Sequence, residues 1–303
     1  MTVPVPPPGV RPPFLQRLSP VAFALAALLL IFFLYQLVGG AITLVLAHGR
    51  FTPENVDLVR WATCIGEIVF ILLPTLWLTR KRYGTIREPL RVHIPEVKEL
   101  AVTMVAVFAL QQILQTYMVL QDSIPVPGGV QKIVNEMKDM MDETYRLLAT
   151  AHTPAEFLSV VLIVALVPAV SEEMLFRGLV QRSFEDAWGG IRGAVAAGVI
   201  FGAYHLNPFA IVPLVALGVY FGFVVYRSGN ITVAVSAHFF NNFVACAATY
   251  LALDDNFLVV APSARPTPTL VALNFMCASV VFLAATLYFV HITGHEGHEE
   301  GLF

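Results

Sequence analysis

The chain has 303 residues, of which 57% are hydrophobic and 13% are charged, and its mean hydropathy is +0.73. Soluble domains are about half apolar and about a quarter charged, so this composition excludes an ordinary soluble domain and predicts an all-α polytopic membrane protein. The net charge of −3 is unremarkable, which argues against nucleic acid as a partner and leaves membrane lipid as the expected surroundings.

Apolar segments recur along the chain, and about eight of them are predicted to form a bundle of transmembrane helices. They lie at about residues 21–47, 57–79, 97–120, 155–183, 191–206, 209–227, 231–253 and 268–291, near the ~20 residues that a span needs. Glycines recur four residues apart in the fifth and sixth segments and predict close contact between these two helices: Gly198 with Gly202, and Gly218 with Gly222.

One polar stretch between the third and fourth segments also has helical periodicity. Residues 131–149 mix both signs of charge and repeat apolar side chains at helical spacing, so we expect one interfacial amphipathic helix there. The chain then divides into five regions: a Pro-rich cytoplasmic tail (1–20), three transmembrane helices (21–120), a surface loop with the amphipathic helix (121–154), a core with polar motifs (155–253), and a last transmembrane helix with a polar, His-rich tail (254–303).

Basic residues set the expected orientation. They crowd the loop after the second segment: Arg80, Lys81, Arg82, Arg87 and Arg91. Because short loops rich in lysine and arginine stay in the cytoplasm, this loop is predicted to be cytoplasmic. An even number of spans then places both termini of this multi-pass protein in the cytoplasm.

The fourth segment carries ionisable side chains inside an apolar run. Charge at such a depth costs a few kcal/mol or more, so intramembrane acids usually face a protein cavity and have a function. Glu173 and Arg177 are four residues apart on one helical face and can pair, which leaves Glu172 to face a cavity. Pro168 removes a backbone hydrogen bond and frees the carbonyl of Val164 beside this site.

Two later segments each bring a histidine with a partner four residues away. Phe201 precedes His205, and Asn242 follows His238. A carboxylate and imidazoles around a water can act as general base and acid for amide hydrolysis, and an Asn amide beside them can stabilise an oxyanion. Glu172, His205 and His238 lie about 16, 21 and 10 Å from the cytoplasmic ends of their segments, so they can meet.

In chain order, Glu172-Glu173-x-x-x-Arg177, Phe201-x-x-x-His205 and His238-x-x-x-Asn242 resemble the intramembrane proteases related to the CAAX prenyl endopeptidase. That family also includes bacteriocin-processing and immunity-type proteins. The resemblance covers about residues 155–253, which it identifies as a CAAX-protease-like catalytic core. It implies hydrolysis of a peptide bond in a membrane-associated protein or peptide, with a prenylated C-terminal tail as one substrate class, approached from the cytoplasmic side.

The resemblance also implies a role for each motif residue. Four would be catalytic, in two pairs: Glu172 with His205 to activate the water, and His238 with Asn242 to polarise the scissile carbonyl and hold the oxyanion. Three would be supporting, with the first two forming a structural or substrate-orienting pair: Glu173, Arg177 and Phe201.

The sequence leaves alternatives open at this point. A metal-free glutamate mechanism without a cofactor is favoured, but Glu172, His205 and His238 would also make a ligand set of the kind that catalytic zinc uses. The buried polar cluster would equally suit an ion-coupled transporter or a non-proteolytic interaction or immunity protein. Glu67 and Gln111 are interpreted as inter-helix hydrogen-bonding groups, and the histidines and glutamates after residue 291 as a solvated tail.

Overall fold

The computed structural model describes residues 14–125, 127–251 and 267–294, and every regular element in these ranges is helical. The predicted Pro-rich tail up to residue 13 and the polar tail from residue 295 lie outside the described residues. The all-α polytopic architecture expected from the composition is therefore confirmed for the part of the chain that the structure covers.

Nine helices longer than one turn form this part of the molecule. We number them in chain order: α1 (Pro20–Leu46), α2 (Val56–Tyr83), α3 (Val97–Asp122), α4 (Gly128–Ala149), α5 (Pro154–Trp188), α6 (Gly190–Tyr204), α7 (Ile211–Ser228), α8 (Ile231–Tyr250) and α9 (Pro268–Ile292). Seven of them are long and apolar enough to cross a membrane, and α6 is a shorter apolar helix.

The fifth of the eight predicted spans, α6, differs from the others in length. Its 15 residues extend over about 22 Å, less than the ~30 Å of a hydrocarbon core. The helix stops because Leu206 adopts a φ of 52° and Pro208 follows, and neither conformation continues a right-handed helix. This early end places His205 at a helix terminus inside the bundle.

Helices α2 and α5 each contain a wider, π-helical turn just before a proline. The π-helical stretch Glu67–Leu72 lies just before Pro74 in α2, and Val161–Leu166 lies just before Pro168 in α5. Proline has no N–H and its ring collides with the carbonyl four residues earlier, so an extra residue is accommodated in the turn. Both stretches lie beside the polar cavity described below, where carbonyls without helical partners are useful acceptors.

Helices α6 and α7 pack backbone against backbone, as the glycine spacing predicts. A Cβ atom added to Gly198 would lie 2.4 Å from the backbone nitrogen of Val219, and one added to Gly218 would lie 2.5 Å from the carbonyl oxygen of Gly198. Such a close approach is possible only for residues without side chains. It brings Phe201 of α6 and Phe221 of α7 against the buried Arg177 of α5.

The ends of the helices lie on two opposite faces of the bundle. On one face, which we call the basic face, Arg82 donates to the carbonyls of Leu15 and Leu18, and Arg91 pairs with the carboxylate of Glu185. The opposite face, which we call the α4 face, carries α4 between the ends of α3 and α5. The seven helices long enough to cross a membrane connect the two faces, whereas α6 begins at the basic face and ends inside the bundle.

Arg60 attaches α4 to the bundle. This arginine is only 2% exposed, and its guanidinium pairs with Asp57 and Glu156 at 2.9 and 3.0 Å. It also donates to three carbonyls at the C-terminal end of α4: Leu147, Leu148 and Thr150. The apolar side chains of α4 stay exposed, among them Ile133 and Met140, and its position on a membrane surface stays a prediction.

Candidate active site

The three motifs converge on one cavity of about 560 Å³ between the helices. Its polar lining includes four of the motif residues predicted to be catalytic: Glu172, His205, His238 and Asn242. The side chains of Glu172 and His205 are 18% and 23% exposed, so both can be reached from the cavity. The sequence therefore identified side chains that one reacting molecule can contact together.

Glu172 and His205 face each other across a gap. The Nε2 atom of His205 lies 3.7 Å from Oε2 of Glu172, which is too long for a direct hydrogen bond. The Nδ1 atom of His205 lies 2.8 Å from the carbonyl oxygen of Phe201, and a carbonyl only accepts, so Nδ1 carries the proton. In the neutral ring Nε2 then has a lone pair, and the gap is flanked by two acceptors.

The end of α6 explains this ring orientation. His205 follows the last helical residue, so the carbonyl of Phe201 four residues earlier can accept from the imidazole. The Phe201 ring packs against the imidazole at 4.7 Å between centroids, in an edge arrangement. The predicted contact between these two residues is present, through the backbone carbonyl as well as the aromatic ring.

Glu173 points away from Glu172 and joins two helices. Its Oε1 atom accepts from Arg177 at 3.0 Å, the pair that the spacing predicts, and from Nδ1 of His238 at 2.9 Å. The carboxylate and the guanidinium have no exposed surface. The sequence did not foresee the contact with His238, which fixes the ring so that only Nε2 is available to a ligand.

Arg177 lies in a cage of aromatic rings. Its guanidinium carbon is 4.6 Å from the ring centre of Phe201, 5.5 Å from that of Phe221 and 6.0 Å from that of Phe176. It also donates to the carbonyl of Gly218 at 2.8 Å. Cation–π contacts and one carboxylate thus stabilise a cation that has no contact with water.

Asn242 is held by a chain of amides. Its Nδ2 atom donates to the carbonyl of Val164 at 3.3 Å, the acceptor that Pro168 leaves without a helical partner. Its Oδ1 atom accepts from Asn241 at 3.1 Å, and Asn241 accepts in turn from Gln111 at 2.9 Å. This chain fixes which end of the amide faces Val164, and it leaves the second N–H of Asn242 for a ligand.

Residues 154–244 match the protein family described as type II CAAX prenyl endopeptidase, Rce1-like. The match contains all three motifs and the side chains whose geometry is given above. The match supports, over this segment, the CAAX protease-related resemblance that the motifs indicate. It covers 91 of the 303 residues of the chain. No curated protein and no solved structure matches the chain.

Helices outside the CAAX protease-related segment also contribute to the cavity. Glu67 of α2 and Tyr35 of α1 line it, with the Tyr35 hydroxyl 3.4 Å from Oε1 of Glu67. Glu67 is 5% exposed, and its Oε2 atom is buried without a hydrogen-bond partner. The sequence analysis interpreted Glu67 as an inter-helix hydrogen-bonding group. An acidic side chain inside a membrane span was nevertheless a sign that this residue could lie at the functional site.

Tyr145 brings α4 to the same cavity. Burial and the nearby Glu172 carboxylate raise the pKa of Tyr145. A hydrogen bond between the Tyr145 hydroxyl and Asn207 lowers this pKa, but by less than the other two effects together raise it. The phenol therefore stays protonated at neutral pH and can donate. The amphipathic periodicity of α4 gave no sign of this position, because it depends on how the helix docks through Arg60.

Proposed function

We propose that the protein is an intramembrane endopeptidase in which Glu172 and His205 activate a water for attack on a peptide bond. The observation that carries this proposal is the 3.7 Å separation between Oε2 of Glu172, which has no hydrogen-bond partner, and Nε2 of His205; both residues line the cavity. A water between these two atoms donates one hydrogen bond to each, which satisfies two acceptors that have no direct contact.

The reaction then needs one proton acceptor and one oxyanion site. Glu172 takes a proton as the water oxygen bonds to the scissile carbonyl carbon, while His205 accepts from the second O–H and orients the attack. Negative charge passes to the carbonyl oxygen. The C–N bond breaks as Glu172 returns its proton to the departing amine, so that water has been added across the peptide bond and the site is regenerated.

His238 and Asn242 provide the donors for the oxyanion in this proposal. The second N–H of Asn242 is not used by Val164, and the Nδ1–H of His238 is held by Glu173. His238 lines the cavity, and its Nε2 atom is the ring position left to donate to the oxyanion when it carries a proton. Removing one such donor in other hydrolases costs about 10²–10³ in rate, so each should be necessary.

The proposed mechanism does not use a metal. A zinc site would need Glu172 and the Nε2 atoms of His205 and His238 around one ion. The Nδ1 contacts of the two rings, with Phe201 and Glu173, leave both Nε2 atoms for a ligand and are of the kind that orients zinc-bound histidines. In the ranges that the structure covers, no three His, Cys, Asp or Glu side chains are grouped so that they could hold a metal ion. On this spacing the proposal uses the Glu172 carboxylate and a water, and the chelator experiment below tests the zinc mechanism.

The proposed substrate is a membrane-associated protein or peptide. The family description supports CAAX-type tails as one class, and the apolar cavity wall suits a lipidated or hydrophobic segment: Ile163, Val164, Leu214, Leu217 and Phe221. The protein would therefore bind the hydrophobic part of its substrate against this wall, next to the water that the cavity holds inside the bundle.

The test is cleavage of a panel of prenylated and unprenylated peptides by the protein purified in detergent, with and without a chelator. Wild type is compared with Glu172→Gln and His205→Ala, and Glu136→Gln serves as a control because this glutamate is exposed on α4. We expect cleavage by wild type and by the control, unaffected by chelator, and loss in both site variants. Activity that survives Glu172→Gln would overturn the assignment, and chelator loss restored by zinc would replace the mechanism with a metal-dependent one.

A further inference from the structure

The cavity occupies one half of the bundle. Helix α2 contributes residues from its end at the α4 face, namely Arg60, Thr63 and Glu67. Helix α8 contributes residues from His238 onwards, in the part that ends at the same face. The end of α4 adds Tyr145, Leu148 and Ala149 to the lining. Glu172, in the middle of α5, marks the deep end.

The other half of the bundle is closed beneath Glu172. From Glu173 to Gln181 almost every side chain of α5 is buried, and the largest of them is Arg177. Gln181 donates to the carbonyl of Gly222 at 3.1 Å, one turn below the bond from Arg177 to Gly218. These contacts fill the path between the cavity and the basic face with packed side chains.

The charges of the two faces differ. Ten lysines and arginines of the described residues lie on the basic face: Arg17, Arg80, Lys81, Arg82, Arg87, Arg91, Lys98, Arg182, Arg192 and Arg227. Five lie on the α4 face, where acids outnumber them: Arg50, Arg60, Lys132, Lys138 and Arg146. Because the side richer in lysine and arginine stays in the cytoplasm, the α4 face is the exoplasmic side.

From these two asymmetries we infer that the cavity opens on the exoplasmic side, and that the cleaved segment belongs to an exported or membrane-inserted polypeptide rather than to a cytoplasmic tail. This inference rests on the proposed function for the chemistry, but not for the direction of access. It reverses the cytoplasmic approach expected from the sequence. That expectation relied on the depth of each residue counted from the end of its segment. Such depths place the residues near the midplane, but they do not show on which side of these residues the bundle is closed by packed side chains.

Arg60 lies at the edge of the proposed opening and shows which residues border it. It holds the end of α4 at the rim, so a peptide that enters from the α4 face passes between this end and the last turn of α8. Thr249 lies in that last turn and lines the cavity. A cysteine at this position therefore reports access to the opening itself.

Two hydroxyl residues provide a matched pair for this measurement. Thr249 and Ser228 each lie in the last turn of a helix and donate to the carbonyl four residues earlier, but on opposite faces. In a chain whose native cysteines are replaced by alanine, Thr249→Cys should react with a membrane-impermeant maleimide in intact cells. Ser228→Cys, and Arg87→Cys on the same basic face, should react only after permeabilisation. Reaction of Ser228→Cys but not Thr249→Cys in intact cells would overturn the inference.

A second measurement uses wild type and avoids any effect of cysteine replacement on folding. An impermeant hydrophilic peptide that the detergent-solubilised protein cleaves is supplied to spheroplasts and, separately, to inverted membrane vesicles. We expect cleavage by spheroplasts and complete loss of cleavage in sealed inverted vesicles until detergent is added. Cleavage by sealed inverted vesicles alone would refute exoplasmic access. If the solubilised protein cleaves no peptide, the proposed function fails, while the labelling experiment still decides the side.

Discussion

Replacing either of two adjacent glutamates by glutamine should separate catalysis from structure. Glu173→Gln removes the carboxylate that pairs with the buried guanidinium of Arg177, and it weakens the acceptor for His238. Glu172→Gln removes a carboxylate that lines the cavity and whose Oε2 atom has no hydrogen-bond partner. The two substitutions are chemically identical and one residue apart, so each is the control for the other.

The expected magnitudes follow from burial. Removing one partner of a buried ion pair leaves an uncompensated charge and costs about 3–5 kcal/mol, and the Glu173 and Arg177 side chains have no exposed surface. Cation–π contacts to Arg177 and the carbonyl of Gly218 remain, so we expect a loss at the lower end, about 3 kcal/mol. Glu172→Gln should change the free energy of unfolding by less than about 1 kcal/mol, since glutamine has nearly the same shape and the Oε2 atom that it replaces has no hydrogen-bond partner.

The measurement combines thermal or denaturant unfolding in detergent with peptide cleavage. Both variants should lose cleavage, Glu172→Gln by about 10²–10⁴ because the general base is gone. Only Glu173→Gln should also unfold at clearly lower temperature. Equal stability of the two variants would refute the division of roles between these carboxylates, as would a Glu172→Gln protein that is the less stable of the two.

Three further predictions concern packing and positioning. Gly198→Ala should destabilise the protein by about 1–3 kcal/mol, because the new methyl group meets the α7 backbone. Gly40→Ala is the control and should leave the stability unchanged, because a Cβ atom there meets nothing within 4 Å. Unfolding curves of both variants test this prediction. Gln111→Leu should lower kcat with little change in KM, because it frees the amide chain that orients Asn242; equal losses in both constants would contradict it. Arg60→Ala should speed hydrogen exchange in the last turn of α4, and unchanged exchange would show that other contacts hold this helix.

Local spacing predicted those parts of the site that lie on one helix. The pair of Glu173 with Arg177 and the contact of Phe201 with His205 each join residues four apart, which the 3.6-residue period of a helix places on one face. The free carbonyl of Val164 likewise follows from the covalent structure of proline, whatever surrounds it. Such predictions need no knowledge of how helices pack.

Contacts between helices were beyond this reasoning. The bond from His238 to Glu173 joins residues 65 apart, and hydropathy does not specify which faces of two apolar helices meet. Small residues predicted that α6 and α7 touch, but not that α6 ends at Tyr204 and is too short to span a hydrocarbon core. The half of the bundle that holds the cavity depends on many such contacts together, so the side from which a substrate enters could not be derived from the depths of single residues.

The adjacent carboxylates show how one helix can hold both a static and a reactive acid. Successive residues point about 100° apart, so a cation on the face of Glu173 neutralises that acid and leaves Glu172 to the cavity. Arg177 is surrounded by aromatic rings and cannot rotate towards Glu172 without losing its contacts with Phe201 and Phe221. A lysine at this position would have a flexible stem and no planar group to stack on the rings. Arg177→Lys should therefore keep the charge yet lower both stability and cleavage, whereas full activity in that variant would mean that charge alone, and not the fixed geometry, keeps Glu173 away from the reaction.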